Sequence, residues 1–207
     1  MTNYTEFQRI PTTIFANHLT IHQIMSMDVR PLWQGIPRIA GPAFTVRCSP
    51  GDNLMLHAAI YRANPGSVIV VEAGDVEYAV AGGNVCAVAQ KRGIAAFVID
   101  GAIRDVGEIR NRQFPVFARG LSPIPGGKNI IGELNSVVQC CRVQVHPDDV
   151  IVADEDGVVV VPFARQEEIL QKAQANAAKE EHEDLERWEA AHQARINEIL
   201  RMKGFTE

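Results

Sequence analysis

Two short stretches of this chain hold residue types that could do chemistry together. Gly82-Gly83-Asn84-Val85 stands at the expected start of a helix over residues 81–91. Unpaired backbone N–H groups and the positive end of a helix dipole can hold an anion there. Arg104-Asp105 closes the run Asp100-Gly101-Ala102-Ile103-Arg104-Asp105, just past the apolar segment 94–99. A strand ending at that point would present a guanidinium and a carboxylate at its tip, where open α/β sheets place their ligands. Arg offers a rigid fork suited to a carboxylate or an enolate oxygen. One Asp carboxylate plus waters suits Mg²⁺, which keeps much of its hydration shell. Anion cradle, guanidinium and carboxylate together could bind and polarise a small 2-oxo acid.

Each stretch also has a purely structural reading. Gly82-Gly83 could be a glycine turn that permits positive φ or close packing before a helix. Asp105 could be a first-turn acid favoured by the dipole, with Arg104 its surface ion-pair partner. The glycines are no P-loop, because no Gly-Lys-Ser/Thr follows, and they lack the three-glycine dinucleotide spacing. The six histidines show no ligand spacing among themselves, apart from His18 and His22 at i,i+4 on an expected helix with no third ligand. Asp154-Glu155-Asp156-Gly157 is acidic but lacks the remaining ligands of an EF-hand loop, so it reads as a hairpin turn.

The elements that must position these residues follow from pattern. Residues 1–35 read as a helical region, with Pro11-Thr12-Thr13 a helix start. Residues 43–48 alternate as a strand. Pro50-Gly51-Asp52-Asn53 is a turn that caps a helix ending before Asn64-Pro65-Gly66. Residues 67–71 and 94–99 are apolar runs expected as buried parallel strands, and with the helix over 81–91 they form a βαβ unit. A short helix over 106–111 and a strand over 114–118 follow. Residues 136–144, 150–153 and 157–161 read as further strands. From Arg165 the chain becomes a long charged helix. Leu185, Trp188, His192, Ile196 and Ile199 give it one face after a polar middle over 179–187.

At 207 residues the chain is long enough for one domain with a substantial core. The net charge of −5, with no basic stripe, gives no reason to expect nucleic acid as a partner. No apolar run approaches the ~20 residues of a membrane span. The first residues lack the basic-then-apolar layout of a signal peptide. The four cysteines, Cys48, Cys86, Cys140 and Cys141, have no zinc-site spacing and read as buried free thiols in a reducing compartment. The expected location is therefore cytoplasmic.

The run Gly-Gly-Asn-Val at 82–85, residues 89–105, and Pro-Val-Phe-Ala-Arg-Gly at 115–120 resemble the family that contains 4-hydroxy-4-methyl-2-oxoglutarate aldolase and RraA, the regulator of ribonuclease E activity. Ala40-Gly41-Pro42-Ala43-Phe44-Thr45-Val46 and residues 147–162 resemble its first and last strand motifs. The resemblance implies an α/β fold of the swivelling β/β/α type. The fold would span residues 1–165 with N-terminal helices. A helical extension over 166–207 would pack on a neighbouring subunit. The resemblance also implies a homotrimer, sometimes paired into a homohexamer, with a pyruvate site between subunits. Backbone groups matching Gly82, Gly83, Asn84 and Val85 would bind substrate, Arg104 would stabilise the enolate, and Asp105 would hold a divalent metal, Mg²⁺ or Mn²⁺.

One departure bears on the chemistry. The aldolases usually carry an acidic residue twenty-one positions before the arginine, and this chain has Gly83 there; Asn17 stands where relatives often have Asp. The resemblance points to a metal-dependent carbon–carbon lyase that yields pyruvate from 2-oxo acids, by retro-aldol cleavage or oxaloacetate decarboxylation. A non-catalytic regulator that binds a ribonuclease is the alternative, although the ribonuclease regulators lack the Arg-Asp pair as a unit. A quinone-precursor methyltransferase, a label also attached to the family, has no supporting nucleotide loop here.

Overall fold

A computed structural model describes residues 3–181 and 184–205. Two short helices, α1 (Tyr4–Arg9) and α2 (Thr12–Ala16), open the chain, followed by a 3₁₀ turn at Ile21–Gln23 and the two-residue strand β1 (Arg30–Pro31). The expected N-terminal helical region is thus broken into pieces. Pro11 interrupts it, since proline cannot donate to the preceding turn. His18 falls between α2 and the 3₁₀ turn that holds His22, so the two histidines share no helix.

The body is a mixed sheet. Its strands and their helices run β2 (Ile39–Arg47), α3 (Leu54–Ala59), β3 (Val68–Glu72), β4 (Ala79–Ala81), α4 (Gly83–Lys91), β5 (Ala96–Ile103), α5 (Val106–Asn111) and β6 (Val116–Leu121). Then come β7 (Glu133–Leu134), β8 (Val138–Cys140), β9 (Val143–Val145), β10 (Val150–Asp154) and β11 (Gly157–Val161). The sheet order is β1-β6-β5-β3-β2-β10-β11, with β4 beside β5 and β7 beside β2. Strands β2, β3, β5 and β6 pair in parallel, while β10 pairs antiparallel with both β2 and β11. An Ile24↔Val159 bridge near one edge and β1 on the other bring the sheet close to a closed barrel.

The apolar runs behave as expected of strands covered on both faces. Val68, Ile69, Val70 and Val71 are fully buried, as are Ala96, Phe97, Val98 and Ile99. One apolar cluster lies between the sheet and α3, α4 and α5, where Phe97 meets Phe114 edge-to-face at 5.0 Å. A second lies on the opposite face, under the β8–β9 hairpin and Met25, Val29, Trp33 and Ile36. A third joins α1, α2, β10 and β11 to the start of the C-terminal helix.

Several elements differ from expectation. The helix expected from Ala81 starts at Gly83, because Ala79–Ala81 pair with β5 instead. Strand β5 does not stop at Ile99 but runs on to Ile103, with a register shift against β6 between Ile99 and Ala102. Residues 136–144 form a hairpin rather than one strand. It turns at Cys141 and Arg142, both at positive φ without a glycine to mark the turn. The C-terminal helix comes as two, α6 (Gln166–Glu181) and α7 (Leu185–Met202). Asp184 caps α7 by accepting the Glu186 N–H at 3.3 Å. Part of the polar middle, His182 and Glu183, lies outside the described residues. Ile169 and Ala173 of α6 are buried in the third cluster, so this part packs within its own chain. Helix α7 has no buried residue; Trp188 and His192 stack on its exposed surface at 4.6 Å. Among the described residues, no helix is long and apolar enough to cross a membrane.

Candidate functional site

The site forms where two crossovers meet. Strand β4 pairs with the end of β5, Ala79 opposite Ala102 and Ala81 opposite Ile103, and the Arg104 N–H donates to the Ala81 carbonyl at 3.0 Å. Sequence-distant Gly82-Gly83 and Arg104-Asp105 therefore emerge side by side. Asp105 sits at φ 59°, ψ 34°, the left-handed region that costs a non-glycine residue about 1–2 kcal/mol and that Asp tolerates better than most. Its side chain does not cap α5. It turns instead to accept the Gly83 N–H at 3.0 Å, with Arg104 Nε 3.6 Å from the same oxygen, Oδ2. Among the described residues no hydrogen bond or ion pair falls on Oδ1, which leaves that oxygen free for a further partner.

The glycines are needed for space, not for unusual torsions. Neither has positive φ, and Gly82 is extended at φ −153°. A Cβ on Gly82 would lie 2.5 Å from Asp105 Oδ2 and 3.1 Å from Arg104 Cγ. A Cβ on Gly83 would land on the Glu108 carboxylate, which reaches across from α5. Either side chain would displace the groups that make the corner.

A small cavity of about 90 Å³ opens beside this corner. Gly82, Asn84, Val85, Arg104 and Asp105 line it, so five of the six expected site residues meet there. Gly83 does not line it. Its amide donates to Asp105. The first-turn amides that remain are those of Asn84 and Val85.

Three polar residues in the wall were not expected: Asn53 and His57 from α3 and its N-cap, and Lys128 from the loop between β6 and β7. Their i,i+4 spacing puts Asn53 and His57 on one side of a helix, a signal visible in the sequence but without an obvious partner there. Asp52 ties α3 to the Lys128 loop by accepting N–H groups from Leu54 at 2.9 Å, Asn129 at 2.6 Å and Ile130 at 3.2 Å. Burial pushes the Asp52 carboxyl up, but these donors and Lys128 outweigh it and leave its pKa below the usual carboxylate value. Burial, then Lys128, lower the His57 pKa against the opposing pull of Asp52, so the imidazole is neutral at pH 7. Cys86 on α4 is pushed up to about 12 by burial and the Asp105 charge, and Cys48 to about 11, chiefly by burial. Neither thiol supplies a thiolate nucleophile near neutral pH.

Asp100, at the start of the motif, looks away from the cavity. It pairs with Arg119 at 3.4 Å and accepts the Cys141 N–H at 2.7 Å, fastening the β8–β9 hairpin to the sheet. No group of three or more His, Cys, Asp or Glu side chains converges among the described residues. Asp105, half-exposed with a free oxygen, fits a hydrated divalent cation held by one carboxylate and waters rather than a protein-caged ion.

A family model described as RraA-like, Aldolase/RraA, matches residues 13–160. A Halalkalibacterium halodurans protein provisionally named 4-hydroxy-4-methyl-2-oxoglutarate aldolase is 41% identical over 178 residues, 86% of this chain and 84% of that protein. The crystal structure of Streptomyces coelicolor RraAS2, described as an unusual member of the RNase ES inhibitor RraA family, superposes with a TM-score of 0.77 at 27% identity, over 86% of this chain and 93% of that one. The RNA-processing inhibitor RraA of Thermus thermophilis superposes at 0.67 and 27% identity, over 73% of this chain and 92% of that one.

Proposed function

The chain belongs to the RraA-like family, and from that premise we propose that it is a divalent-metal-dependent carbon–carbon lyase that releases pyruvate from 2-oxo acids. The observation that carries this reading is the Arg104–Asp105 corner, held at the end of β5 and opened onto a small cavity with helix-first-turn amides in its wall. The Asn84 and Val85 amides bind the substrate carboxylate at the N-terminus of α4. Arg104 places its guanidinium against the 2-oxo oxygen, where negative charge develops as the bond to the departing carbon breaks. Asp105, fixed by the Gly83 N–H, would hold Mg²⁺ or Mn²⁺ through its free oxygen. When bound, that ion supplies Lewis-acid polarisation of the ketone. Both retro-aldol cleavage and oxaloacetate decarboxylation leave the same pyruvate enolate, so both use this machinery. A trimeric or hexameric ring with the cavity near a subunit boundary and a cytoplasmic location complete the reading.

The likeness to RraA structures favours one alternative, a non-catalytic protein that binds a ribonuclease. A pyruvate-release assay separates the two. Oxaloacetate and 4-hydroxy-4-methyl-2-oxoglutarate are offered with Mg²⁺ or Mn²⁺, and again with EDTA. Release that EDTA abolishes supports the lyase; no release from either substrate above the metal-only rate removes it.

A further inference from the structure

Cleavage of a 4-hydroxy-2-oxo acid needs a group that takes the C4 hydroxyl proton, and decarboxylation does not. We propose that His57 is that proton acceptor. This rests on the lyase reading above and adds to it a residue for one of its two reactions.

Three observations lead there. First, Asn53 and His57 line the same cavity as Arg104 and Asp105, on the α3 side. Second, Asn53 is only 5% exposed, yet its Oδ1 has no hydrogen-bond partner among the described residues. Its amide donates through Nδ2 to the Gly126 carbonyl at 3.3 Å, and that bond fixes which end is the oxygen. A buried acceptor without a donor costs about 1–3 kcal/mol, and this one stands one helical turn before His57. Third, among the described residues no hydrogen bond or ion pair falls on the His57 ring. The charged groups around it are Asp52 on its own turn, Lys128 from the loop, and Arg104 with Asp105 in the shared wall. Burial and Lys128 lower its pKa against the pull of Asp52, which keeps the ring neutral and able to accept.

The step balances without a further reactant. A ring nitrogen of His57 takes the hydroxyl proton, and the C4–O electrons become the new carbonyl. The C3–C4 bond breaks, and its pair passes into the pyruvate enolate beside Arg104. The imidazolium then returns a proton to C3, restoring neutral His57 and releasing pyruvate. Glu108 is the competing carboxylate, since it covers Gly83, but it does not line the cavity.

The test compares His57→Gln and Glu108→Gln with wild type on 4-hydroxy-4-methyl-2-oxoglutarate and on oxaloacetate, with Mg²⁺ and across pH 5–9. General-base catalysis contributes typically 10²–10⁴-fold. His57→Gln is expected to lower the cleavage rate by at least about 100-fold, to lower decarboxylation by less than tenfold, and to remove the acid limb of the cleavage pH profile. Equal loss of both reactions, a cleavage loss under about threefold, or an unchanged acid limb overturns the proposal. Selective loss of cleavage in Glu108→Gln instead moves the role to that carboxylate and overturns it too. Wild-type decarboxylation without cleavage rejects His57 while leaving the lyase reading standing; neither reaction in wild type rejects both.

Discussion

Two arginine–aspartate pairs in this fold are built to opposite ends. Arg38 and Asp154 approach to 3.0 Å, with the Asp154 side chain 9% exposed and Arg38 31%. Asp154 also accepts the Thr12 hydroxyl at 2.6 Å, the Thr12 N–H at 3.0 Å and the Asp156 N–H at 3.1 Å, so both of its oxygens are occupied. Arg104 and Asp105 stand 3.6 Å apart at 43% and 40% exposure, and Asp105 has one amide donor on one oxygen. The first carboxylate is saturated and ties the N-terminal helices to the β10–β11 turn. The second is held in a strained backbone conformation with an oxygen to spare. Unused coordination at a fixed position separates a residue that can take a ligand from one that holds a fold together.

The contrast predicts opposite consequences for the same change. Asp105→Asn is expected to lower metal-dependent pyruvate release by about 10³-fold, roughly 4 kcal/mol of transition-state stabilisation. It is expected to leave thermal stability within about 1 kcal/mol, because the side chain is half-exposed. Release measured at limiting Mg²⁺, alongside a thermal melt, checks both halves; turnover within tenfold of wild type would break the comparison at its functional end. Asp154→Asn is expected to do the reverse. It leaves Arg38 without its partner and weakens three hydrogen bonds, at a cost of about 2–3 kcal/mol after allowing for the third of Arg38 that water reaches. For a chain of this size that lowers the melting temperature by about 5–10 °C. Rate per folded molecule stays near wild type, and a melt within 2 °C of wild type would show that the pair holds little.

Exchanging arginine for lysine sharpens the contrast further. Arg104→Lys keeps the charge and loses the planar fork. If two substrate oxygens share that fork, the rate falls by more than about tenfold, 1.4 kcal/mol. Arg38→Lys, in a pair whose work is shared with Thr12 and Asp156, is expected to cost under about 1 kcal/mol of stability and nothing in rate. Parallel kinetics and melts on the two variants decide it.

Much of the frame that positions this corner is legible in the residues themselves. The apolar runs at 67–71 and 94–99 could only be buried strands, and Asp154-Glu155-Asp156-Gly157 turns as read, with Asp154 opposite Gly157 in register. What stayed hidden depends on tertiary pairing. Three residues, Ala79–Ala81, carry too little pattern to announce a strand, yet β4 is what brings Gly82 to Arg104. The turn at Cys141-Arg142 has no glycine, proline or Asx residue to mark it. Gly82 and Gly83 stand out in the sequence, but their reason, the Asp105, Arg104 and Glu108 side chains crowding them, exists only after folding. Asn53, His57 and Lys128 reach the cavity from an element and a loop whose approach to α4 no local pattern encodes.

The finest test of the comparison is the acid side of the stability curve. Burial pushes the Asp154 carboxyl up. The Thr12 hydroxyl and N–H, Arg38 and the Asp156 N–H outweigh that and hold its pKa below the ordinary value of 3.8. A carboxyl whose pKa is depressed by folding stabilises the native state when ionised. That contribution is complete above the unfolded value, about 3.9, and is lost as pH falls through the lower folded value. Wild type should therefore exceed Asp154→Asn in stability by a constant amount from pH 7 down to about 5, and the gap should close progressively below about pH 4. Asp52, also held low by its N–H donors, remains in both proteins and lowers both curves together, so the difference isolates Asp154. Urea melts of the two proteins at half-unit steps from pH 6 to pH 3 give the gap directly. A gap that stays constant to pH 3 would mean that Asp154 contributes by shape and hydrogen bonding alone, and that the saturated pair owes nothing to its charge.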